Sequence, residues 1–373
     1  MALVLNEEQS MLRESARDFL AGRAPVSHLR DLRDSGNTDR FSRELWNEMA
    51  EMGWTAMLVP EEYGGHGYGF TGMGIVLEET GRTLTPSPLL STAMTAAAAV
   101  ALAGTPGQRS DLLPGIASGE RIVALACDET SLHAPGEIEA ELDASGGGYR
   151  LNGSKTAVID GHIADTLIVS AEGDRGISLL LVPSSAPGVS VKRYPLLDTH
   201  AAARVSFDGV RLDDSNILGT QGRGLELLDE ILDIARVGAS AELLGIAQEA
   251  FERTVQYLKD RKQFGVPIGS VQALQHRAAR LFGEIELGKS VVLRALHALD
   301  EGSADRPEMA SLAKAKVSAI AHLATTEAIQ MHGGIGMTDE FDIGFFLKRW
   351  KILDSLYGDR NFHLDRFARL RGY

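Results

Sequence analysis

The spacing of apolar residues changes twice along this chain, and those changes limit the folds that it can adopt. From Glu7 to about Gly119, and again from Leu225 nearly to the end, apolar side chains recur with the period of amphipathic helices. Between Arg121 and about Gly219 the chain instead carries short β-rich runs separated by Gly, Pro and Asp clusters. We therefore predict an α+β multidomain protein in which one β domain lies between two helical domains.

The same changes of period give the expected domain limits. We predict an N-terminal helical domain over residues 1–120, a middle β-barrel-like or sandwich domain over residues 121–219, and a C-terminal four-helix bundle over residues 220–373. The Gly146–Gly148 run and the Asn152-Gly153 pair are predicted to be turns. The expected strands are Ile122–Leu125, Tyr149–Leu151, Thr166–Ser170, Ile177–Val182 and Ala203–Phe207, and the expected bundle helices are Ile231–Lys259, Val271–Leu299, Pro307–Met331 and Asp342–Arg371.

The charge balance and the cysteine content exclude several classes of partner and site. The chain has 37 Lys and Arg against 51 Asp and Glu, a formal net charge of −14, so we expect neither nucleic acid nor an anionic lipid surface as a partner. Cys127 is the single cysteine, which rules out an internal disulfide, fits a reducing compartment and is expected in the core. No Cys and His spacing typical of a metal site occurs, so we predict no metal.

The sequence also lacks the patterns of secreted and membrane-spanning chains. Asn6, Glu7 and Glu8 interrupt any cationic and apolar secretory leader. The most apolar tract, Thr95–Ala103, is far shorter than the roughly 20 residues that span a bilayer, and we expect it to be a packed helix. These features predict a cytoplasmic protein without a membrane span.

Two motifs far apart in the chain carry ligand-binding chemistry. Arg261–Gly269 (RKQFGVPIG) leads into Gln272, and Gln330–Gly336 (QMHGGIG) lies much later. A basic residue with neighbouring donors, together with a glutamine and a glycine pair that allows close approach, suits a pyrophosphate and an adenosine. Taken alone, Arg261 could be a solvated charge at a helix end, and the glycine pair could cap a helix. Because a cap needs only one glycine, the second glycine favours a bound ligand.

Two histidines, His276 and His332, flank these motifs. Nothing in the sequence pairs either of them with a serine or cysteine in a nucleophile arrangement. We expect both to be structural hydrogen-bonding groups.

Taken together, the motifs make the whole chain resemble the acyl-CoA dehydrogenases. The segments that carry the resemblance are LWNEMAEMGWTAMLVPEEYGG (from Leu45), LEETGRTLTPSPLL (from Leu77), LLPGIASGE (from Leu112), LNGSKTAVIDG (from Leu151), RKQFGVPIGSVQALQH and IQMHGGIGMTDE, in the order of that family. The resemblance implies non-covalent FAD, assembly as dimers or tetramers, and oxidation of an acyl-CoA thioester to a trans-2-enoyl-CoA. It also implies an electron-transfer flavoprotein as the acceptor.

The resemblance assigns one set of residues to the diphosphate and adenosine of FAD, in part across a subunit interface. In this chain the set is Arg261, Gln263, Phe264, Gln272, Gln330, Gly333 and Gly334. The contacts to the flavin ring are less well kept. The stretch Ala124–Thr130 stands where the family has Thr-Glu-Pro, and Ala157–Ile159 replaces its Trp-Ile-Thr.

The catalytic base of the family is missing from both of its usual places. Near the C-terminus, one alignment of Tyr357-Gly358-Asp359-Arg360 with Tyr-Glu-Gly-Thr puts Gly358 in the base position, and another puts Tyr357 there. On the earlier helix Arg236 is kept, but Ala235 stands where the alternative glutamate would be. The nearby carboxylate Asp359 is a candidate base, with Arg236 as a second candidate catalytic residue. The alternative for Asp359 is an ion pair or the cap of a turn.

These observations favour a subunit of a heteromeric α2β2 enzyme. The chain would supply the adenosine side of the site, and a related partner chain would supply the glutamate and hold the flavin ring. Some bacterial acyl-CoA dehydrogenases that act on steroid side chains resemble this arrangement, so a bulky acyl group is expected by analogy. One alternative is a self-sufficient homomeric enzyme with Asp359 as its base. The other is a non-catalytic scaffold that stabilises a partner.

Overall fold

A computed structural model describes residues 4–373, which form two compact units. The first unit contains residues 4–31, 70–85 and 236–373, and the second contains residues 32–69 and 86–235. In chain order, helices precede a single large sheet and helices follow it, so the predicted fold class is confirmed. The domain limits proposed at residues 120 and 219 stay a prediction.

The helices of the chain carry ordinary sequence signals at their ends. Asn6 forms a capping box with Gln9 at the start of the first helix, and Thr105 forms one with Gln108 before the sixth. The helices are α1 Glu7–Arg23, α2 Val26–Asp34, α3 Arg43–Glu51, α4 Phe70–Thr83, α5 Ala97–Ala103, α6 Pro106–Ala117, α7 Gly224–Asp260, α8 Gln272–Asp300, α9 Arg306–His332, α10 Ile343–Ser355 and α11 Arg360–Leu370.

The C-terminal segment holds five helices, α7 to α11, rather than the predicted four. The single helix predicted over Asp342–Arg371 is wrong, because the chain turns between α10 and α11. Tyr357 and Gly358 both have positive φ, 59° and 104°, which no continuous helix allows. Within the first unit, α9 packs against α8, α10 and α11, so α9 is the central helix of this segment.

α4 and α7 cross closely within the first unit. A Cβ on Gly245 would lie 1.8 Å from the carbonyl oxygen of Glu78, so only glycine fits there. A Cβ on Gly81 would likewise lie 2.1 Å from the carbonyl oxygen of Glu242. The close approach lets the Gln248 amide donate to Glu78 Oε1 at 2.7 Å across the two helices.

The second unit is built on an eight-stranded mixed sheet with the order β6-β7-β3-β2-β4-β5-β8, in which β1 pairs in parallel with β4. All five predicted strands are present, and β2, β6 and β8 are additional. The missed β6 is almost wholly exposed, so it lacks the alternation that marks a half-buried strand. The strands are β1 Val123–Ala126, β2 Glu141–Ser145, β3 Gly148–Ile159, β4 Thr166–Gly173, β5 Gly176–Pro183, β6 Val189–Pro195, β7 Ala201–Leu212 and β8 Ile217–Leu218, and a separate two-stranded hairpin consists of β9 Lys262–Gln263 and β10 Val266–Pro267.

One of the two predicted turns in this unit is confirmed and the other is wrong. Gly146 and Gly147, with φ of 61° and 88°, form the two-residue turn between β2 and β3. Asn152 and Gly153 lie inside β3, where the pairing with β7 shifts register. Gly153 is needed there because a Cβ would lie 2.7 Å from the Ala140 Cα.

The apolar tract Thr95–Ala103 is helical, as predicted, and it begins in a π-helical segment, Leu89–Ala96, that continues into α5. Most of the tract is buried, and Cys127 is buried as well. Within residues 4–373, the helices are too short or too polar to cross a membrane.

Candidate functional site

A cavity of about 540 Å³ opens where α7 ends, beside β9 and the C-terminus of α9. Five of the seven predicted cofactor residues line it, although they come from two segments far apart in the chain. The lining residues are Tyr257, Arg261, Gln263, Ile268, Gln330, Met331, His332, Gly333, Gly334 and Ile335. The volume lies within the range of about 300–1,000 Å³ that is usual for ligand pockets.

The glycine loop beside this cavity has room for a ligand. Gly333 ends α9 with φ 65° and ψ −143°, a conformation open to glycine alone. A Cβ on Gly333 or Gly334 would meet no protein atom within 4 Å, so packing inside the protein does not explain the pair. Gly336 differs, because its Cβ would lie 2.8 Å from the carbonyl oxygen of Ile329. The first two glycines therefore suit close approach of a cofactor, whereas the third serves helix packing.

Arg261 gives this cavity a cationic group in an otherwise acidic protein. The residue is exposed, and its guanidinium makes no hydrogen bond among the described residues. A planar guanidinium with unused donors suits the two charges of a diphosphate. Gln263 and Gln330, which line the same cavity, add amide groups that can donate or accept. This set of side chains fits the nucleotide end of FAD.

Phe264 and Gln272, the other two predicted residues, do not line the cavity. Phe264 and Gly265 form the turn between β9 and β10, with φ of 51° and 84°. The Phe264 side chain is 101% exposed, and Gln272 is exposed at the start of α8. Both residues therefore face outward in a single chain, where only a second chain or a ligand could cover them.

Tyr257 and His332 line the cavity and were missed as ligand-side residues by the sequence analysis. Their rings stack with centroids 4.3 Å apart, and His332 Nδ1 donates to the Ala328 carbonyl at 2.7 Å. Burial lowers the pKa of His332, which keeps the ring neutral. His332 thus makes the structural hydrogen bond expected of it. Tyr257 lies one helical turn before Arg261, and that spacing could have pointed to it.

Asp359 is the N-cap of α11. Its Oδ1 accepts the backbone N–H of Phe362 at 2.8 Å, and the residue is exposed. This is the capping role that the sequence left open as an alternative to catalysis.

The turn before Asp359 is held from within the first unit by buried polar groups. Arg236, which is fully buried, donates from Nε to the carbonyl oxygen of Tyr357 at 3.2 Å. His363 Nε2 donates to the same oxygen at 3.1 Å. Lys314 Nζ donates to the carbonyl oxygens of Asp354 and Gly358 at 3.0 and 2.9 Å. Arg236 therefore contacts the turn that aligns with the base motif of the family. The aligned residues Tyr357 and Gly358 carry no carboxyl group.

In the second unit, Asp128 belongs to the Ala124–Thr130 stretch that the sequence matched to the family's Thr-Glu-Pro. Its carboxylate accepts a hydrogen bond from His133 Nδ1 at 2.9 Å, and its carbonyl accepts the Thr156 N–H at 2.8 Å. Ala157, with φ 52°, donates its N–H to the Tyr194 hydroxyl at 2.9 Å. The Asp128 carboxylate and carbonyl and the Ala157 N–H therefore all make hydrogen bonds within the protein.

A buried ion pair lies beside this segment. Lys155 Nζ is 2.6 Å from Glu129 Oε1. Burial lowers the pKa of Lys155, and the bond to Glu129 offsets part of that effect. Burial acts to raise the pKa of Glu129, but hydrogen bonds from Lys155 and from the Ala140 and Glu139 amides outweigh it, and the net shift is downward. The pair is a structural element that supports β3, the strand that contains both Lys155 and Ala157. Across residues 4–373, no group of three or more His, Cys, Asp or Glu side chains could hold a metal ion.

Comparison with known families and structures gives a consistent result along the whole chain. Three family models match in order: acyl-CoA dehydrogenase N-terminal domain over residues 6–120, middle domain over residues 129–213, and C-terminal domain over residues 222–370. The probable acyl-CoA dehydrogenase YngJ of Bacillus subtilis is 31% identical over 371 residues, which cover 95% of each chain.

Two solved heteromeric assemblies are similar in structure. The Tcur3481-Tcur3483 steroid ACAD, solved as a variant, aligns with a TM-score of 0.90 and 33% identity over 98% of each chain. The ChsE4-ChsE5 complex from Mycobacterium tuberculosis aligns with a TM-score of 0.92 and 25% identity over 100% of each chain.

Proposed function

Because the chain belongs to the acyl-CoA dehydrogenase family, a family of FAD-dependent oxidoreductases acting on acyl-CoA, we propose that it is one subunit of a heteromeric acyl-CoA dehydrogenase. In this proposal the chain supplies the adenosine side of a shared FAD site. A related partner chain supplies the catalytic carboxylate and holds the flavin ring. The assembly is an α2β2 heterotetramer.

The observation that carries the proposal is the unequal retention of the two sets of residues that the family uses to bind FAD. Arg261, Gln330 and the glycine pair line one open cavity, and the Arg261 guanidinium has donors to spare. In the second unit, by contrast, Ala124–Thr130 stands where the family has Thr-Glu-Pro, and Ala157–Ile159 replaces its Trp-Ile-Thr. The Ala157–Ile159 replacement lacks both an aromatic ring and a hydroxyl donor for a flavin ring. The residues expected at the nucleotide end of FAD therefore suit the cofactor, and those expected at its flavin ring do not.

The state of the base supports the same division. α-Proton abstraction from a thioester needs a carboxylate that is free to accept a proton. The Asp359 carboxylate is instead occupied as the N-cap of α11, where it accepts the backbone N–H of Phe362. Tyr357 and Gly358, the two positions aligned with the family glutamate, carry no carboxyl group.

The exposed hairpin supports a partner chain. Phe264 is fully exposed and has a positive φ, which is uncommon for a bulky residue. Val266 and Val271 beside it, and Met337 after α9, are also among the exposed large apolar side chains. A set of exposed apolar side chains of this kind is typical of a surface that a second subunit covers.

When bound, FAD supplies the hydride acceptor of the reaction. The part of this chain is to bind the cofactor: Arg261 neutralises diphosphate charge, and the Gln330–Gly334 segment holds the adenosine. We further propose a bulky, steroid-like acyl group, supported by the Tcur3481-Tcur3483 steroid ACAD that aligns with this chain. The proposed electron acceptor is an electron-transfer flavoprotein, and the proposed compartment is the cytoplasm, which the single cysteine suits.

The test is co-expression with a related chain that carries the glutamate, followed by a count of flavins per complex. We expect one FAD per pair of unlike chains, and little or no flavin on this chain purified alone. Arg261→Ala should release FAD from the complex, because the diphosphate loses its cation. Arg193→Ala, a matched change on the exposed strand β6, should leave FAD bound.

Three outcomes count against the proposal. A yellow, active homomer would favour the self-sufficient enzyme, particularly if Asp359→Asn abolished turnover while FAD stayed bound. Full activity of the complex after Arg261→Ala would favour the scaffold. Two FAD per pair of unlike chains would show that this chain has a complete site of its own.

A further inference from the structure

The Tyr257 hydroxyl reaches the backbone that borders the glycine loop. It donates a hydrogen bond to the carbonyl oxygen of His332 at 3.3 Å. That carbonyl belongs to the peptide that joins His332 to Gly333, the first glycine of the loop. Tyr257, a residue of α7, therefore makes a hydrogen bond to the backbone at the start of the glycine loop.

The His332 ring is fixed on several sides. It stacks on Tyr257 with ring planes 29° apart, and Phe341 lies 4.9 Å away on a tilted plane. Its Nδ1 N–H bonds to the Ala328 carbonyl at 2.7 Å, one turn earlier on α9. Burial lowers the pKa of His332 and so keeps this tautomer neutral. Tyr257 thus contacts His332 in two ways: its ring stacks on the His332 ring, and its hydroxyl donates to the His332 carbonyl.

Such support matters because the short 3₁₀ helix Gly333–Met337 begins with two glycines. Gly333 and Gly334 have no side chains, and neither would meet protein atoms even with a Cβ. Glycine also loses more backbone freedom on ordering than any other residue. A glycine loop that is disordered before binding lowers the affinity for the ligand, because part of the binding free energy is then used to order the loop.

We propose that Tyr257 is a positioning residue for FAD: through the His332 carbonyl and ring, it holds the Gly333–Gly334 segment in the shape that receives the nucleotide end of the cofactor. This inference rests on the proposed function, since it assumes that the cavity holds FAD. Tyr257 acts through His332, although its own ring also lines the cavity. No charge is involved, so Tyr257 adds order to the site and not attraction.

The test compares Tyr257→Phe and Tyr257→Leu in the complex with the glutamate-carrying chain. The first variant removes the hydroxyl and keeps the stacked ring, and the second removes both. Tyr149→Phe is the matched control, because it also deletes a hydroxyl that donates to a protein acceptor: Tyr149 of β3 donates to Asp214 at 2.9 Å. The readouts are FAD and ADP affinity by titration calorimetry, and the thermal unfolding of each FAD-free complex.

We expect Tyr257→Phe to weaken FAD about fivefold, the usual effect of one net hydrogen bond, and Tyr257→Leu to weaken it further. ADP, which has only the nucleotide end of FAD, should lose affinity in the same proportion, and the unfolding midpoint of the FAD-free Tyr257→Phe complex should fall only by the small amount that one lost hydrogen bond costs. Tyr149→Phe should bind both ligands as the parent does.

Unchanged FAD and ADP affinity in both Tyr257 variants would overturn the inference. So would a loss of affinity that merely follows a lower unfolding midpoint of the FAD-free complex, because that pattern indicates general loosening. Arg261→Ala separates this result from failure of the proposed function. If Arg261→Ala loses FAD and Tyr257→Phe does not, only the inference fails; if neither affects FAD, the cavity itself is not the cofactor site.

Discussion

Lys314 Nζ lies 2.9 Å from the carbonyl oxygen of Gly358 and donates a hydrogen bond to it from inside the first unit. The same ammonium group donates to the Asp354 carbonyl, and Lys314 is fully buried. A lysine of α9 therefore fixes the turn between α10 and α11, where the family keeps its base. Buried hydrogen bonds hold this turn although neither Tyr357 nor Gly358 carries a carboxyl group.

The first prediction concerns the pH dependence of stability. Burial lowers the pKa of Lys314 from 10.5 to about 7. Between these values the unfolded chain binds the proton and the folded chain does not, so the free energy of unfolding rises with pH through this window. Below pH 7 the unfavourable buried charge is fully present. Lys314→Met should remove up to about 1.4 kcal/mol per pH unit of this rise.

Urea unfolding at several pH values from 7 to 10 measures this effect. Lys192→Met, on the exposed strand β6, is the matched control and should keep the slope of the parent. Parallel curves for the parent and Lys314→Met would show that the lysine does not titrate in this window.

The second prediction separates capping from catalysis at Asp359. Asp359→Ala should lower the free energy of unfolding by about 1 kcal/mol, because the Phe362 N–H loses its acceptor. Asp359→Asn should keep most of that stability, since asparagine caps helices as well as aspartate does. Both variants should keep the turnover of the assembled complex. Loss of turnover in Asp359→Asn with FAD still bound would contradict the prediction.

The third prediction contrasts two glycines of one loop. Gly334→Ala adds a methyl group where no protein atom lies within 4 Å, so we expect unchanged stability and weaker FAD binding. Gly336→Ala would place a Cβ 2.8 Å from the Ile329 carbonyl oxygen. Such overpacking should cost about 1–3 kcal/mol of unfolding free energy. Denaturant unfolding and FAD titration of both variants check this, and equal effects on stability would refute the assignment.

The fourth prediction concerns the exposed tip of the β9–β10 hairpin. Phe264→Gly should not destabilise the chain on its own, because Phe264 is exposed and glycine adopts its positive φ without strain. The same change should weaken association with the partner chain at least tenfold, as expected for an aromatic interface residue. Analytical ultracentrifugation of the mixed chains measures this. Leu132→Gly, another exposed apolar change, is the control, and equal weakening by both would argue against an interface at Phe264.

The sequence determined the features that depend on neighbouring residues. The change from helical to strand spacing predicted the order of helices, sheet and helices, because periodicity reflects which face of each element is buried. The glycine run Gly146–Gly148 predicted a hairpin turn, and its first two residues form one, since a two-residue turn with two positive φ values favours glycine. The two ligand-binding motifs and the absence of the glutamate could also be identified from the order of residue types in the sequence.

The tertiary structure decided which of those residues meet. Sequence spacing could not separate Gln330, which lines the cavity with Arg261, from Gln272, which does not, because that depends on how α7, α8 and α9 pack. The same holds for Asn152 and Gly153, whose turn-like sequence is overridden by pairing of β3 with β7. Lys314 reads as an ordinary helix lysine, and only the packing of α9 against α10 and α11 buries it beneath the turn. Neighbouring residues determine which conformations a segment prefers. Burial and contacts between residues far apart in the sequence depend instead on how the helices and strands pack.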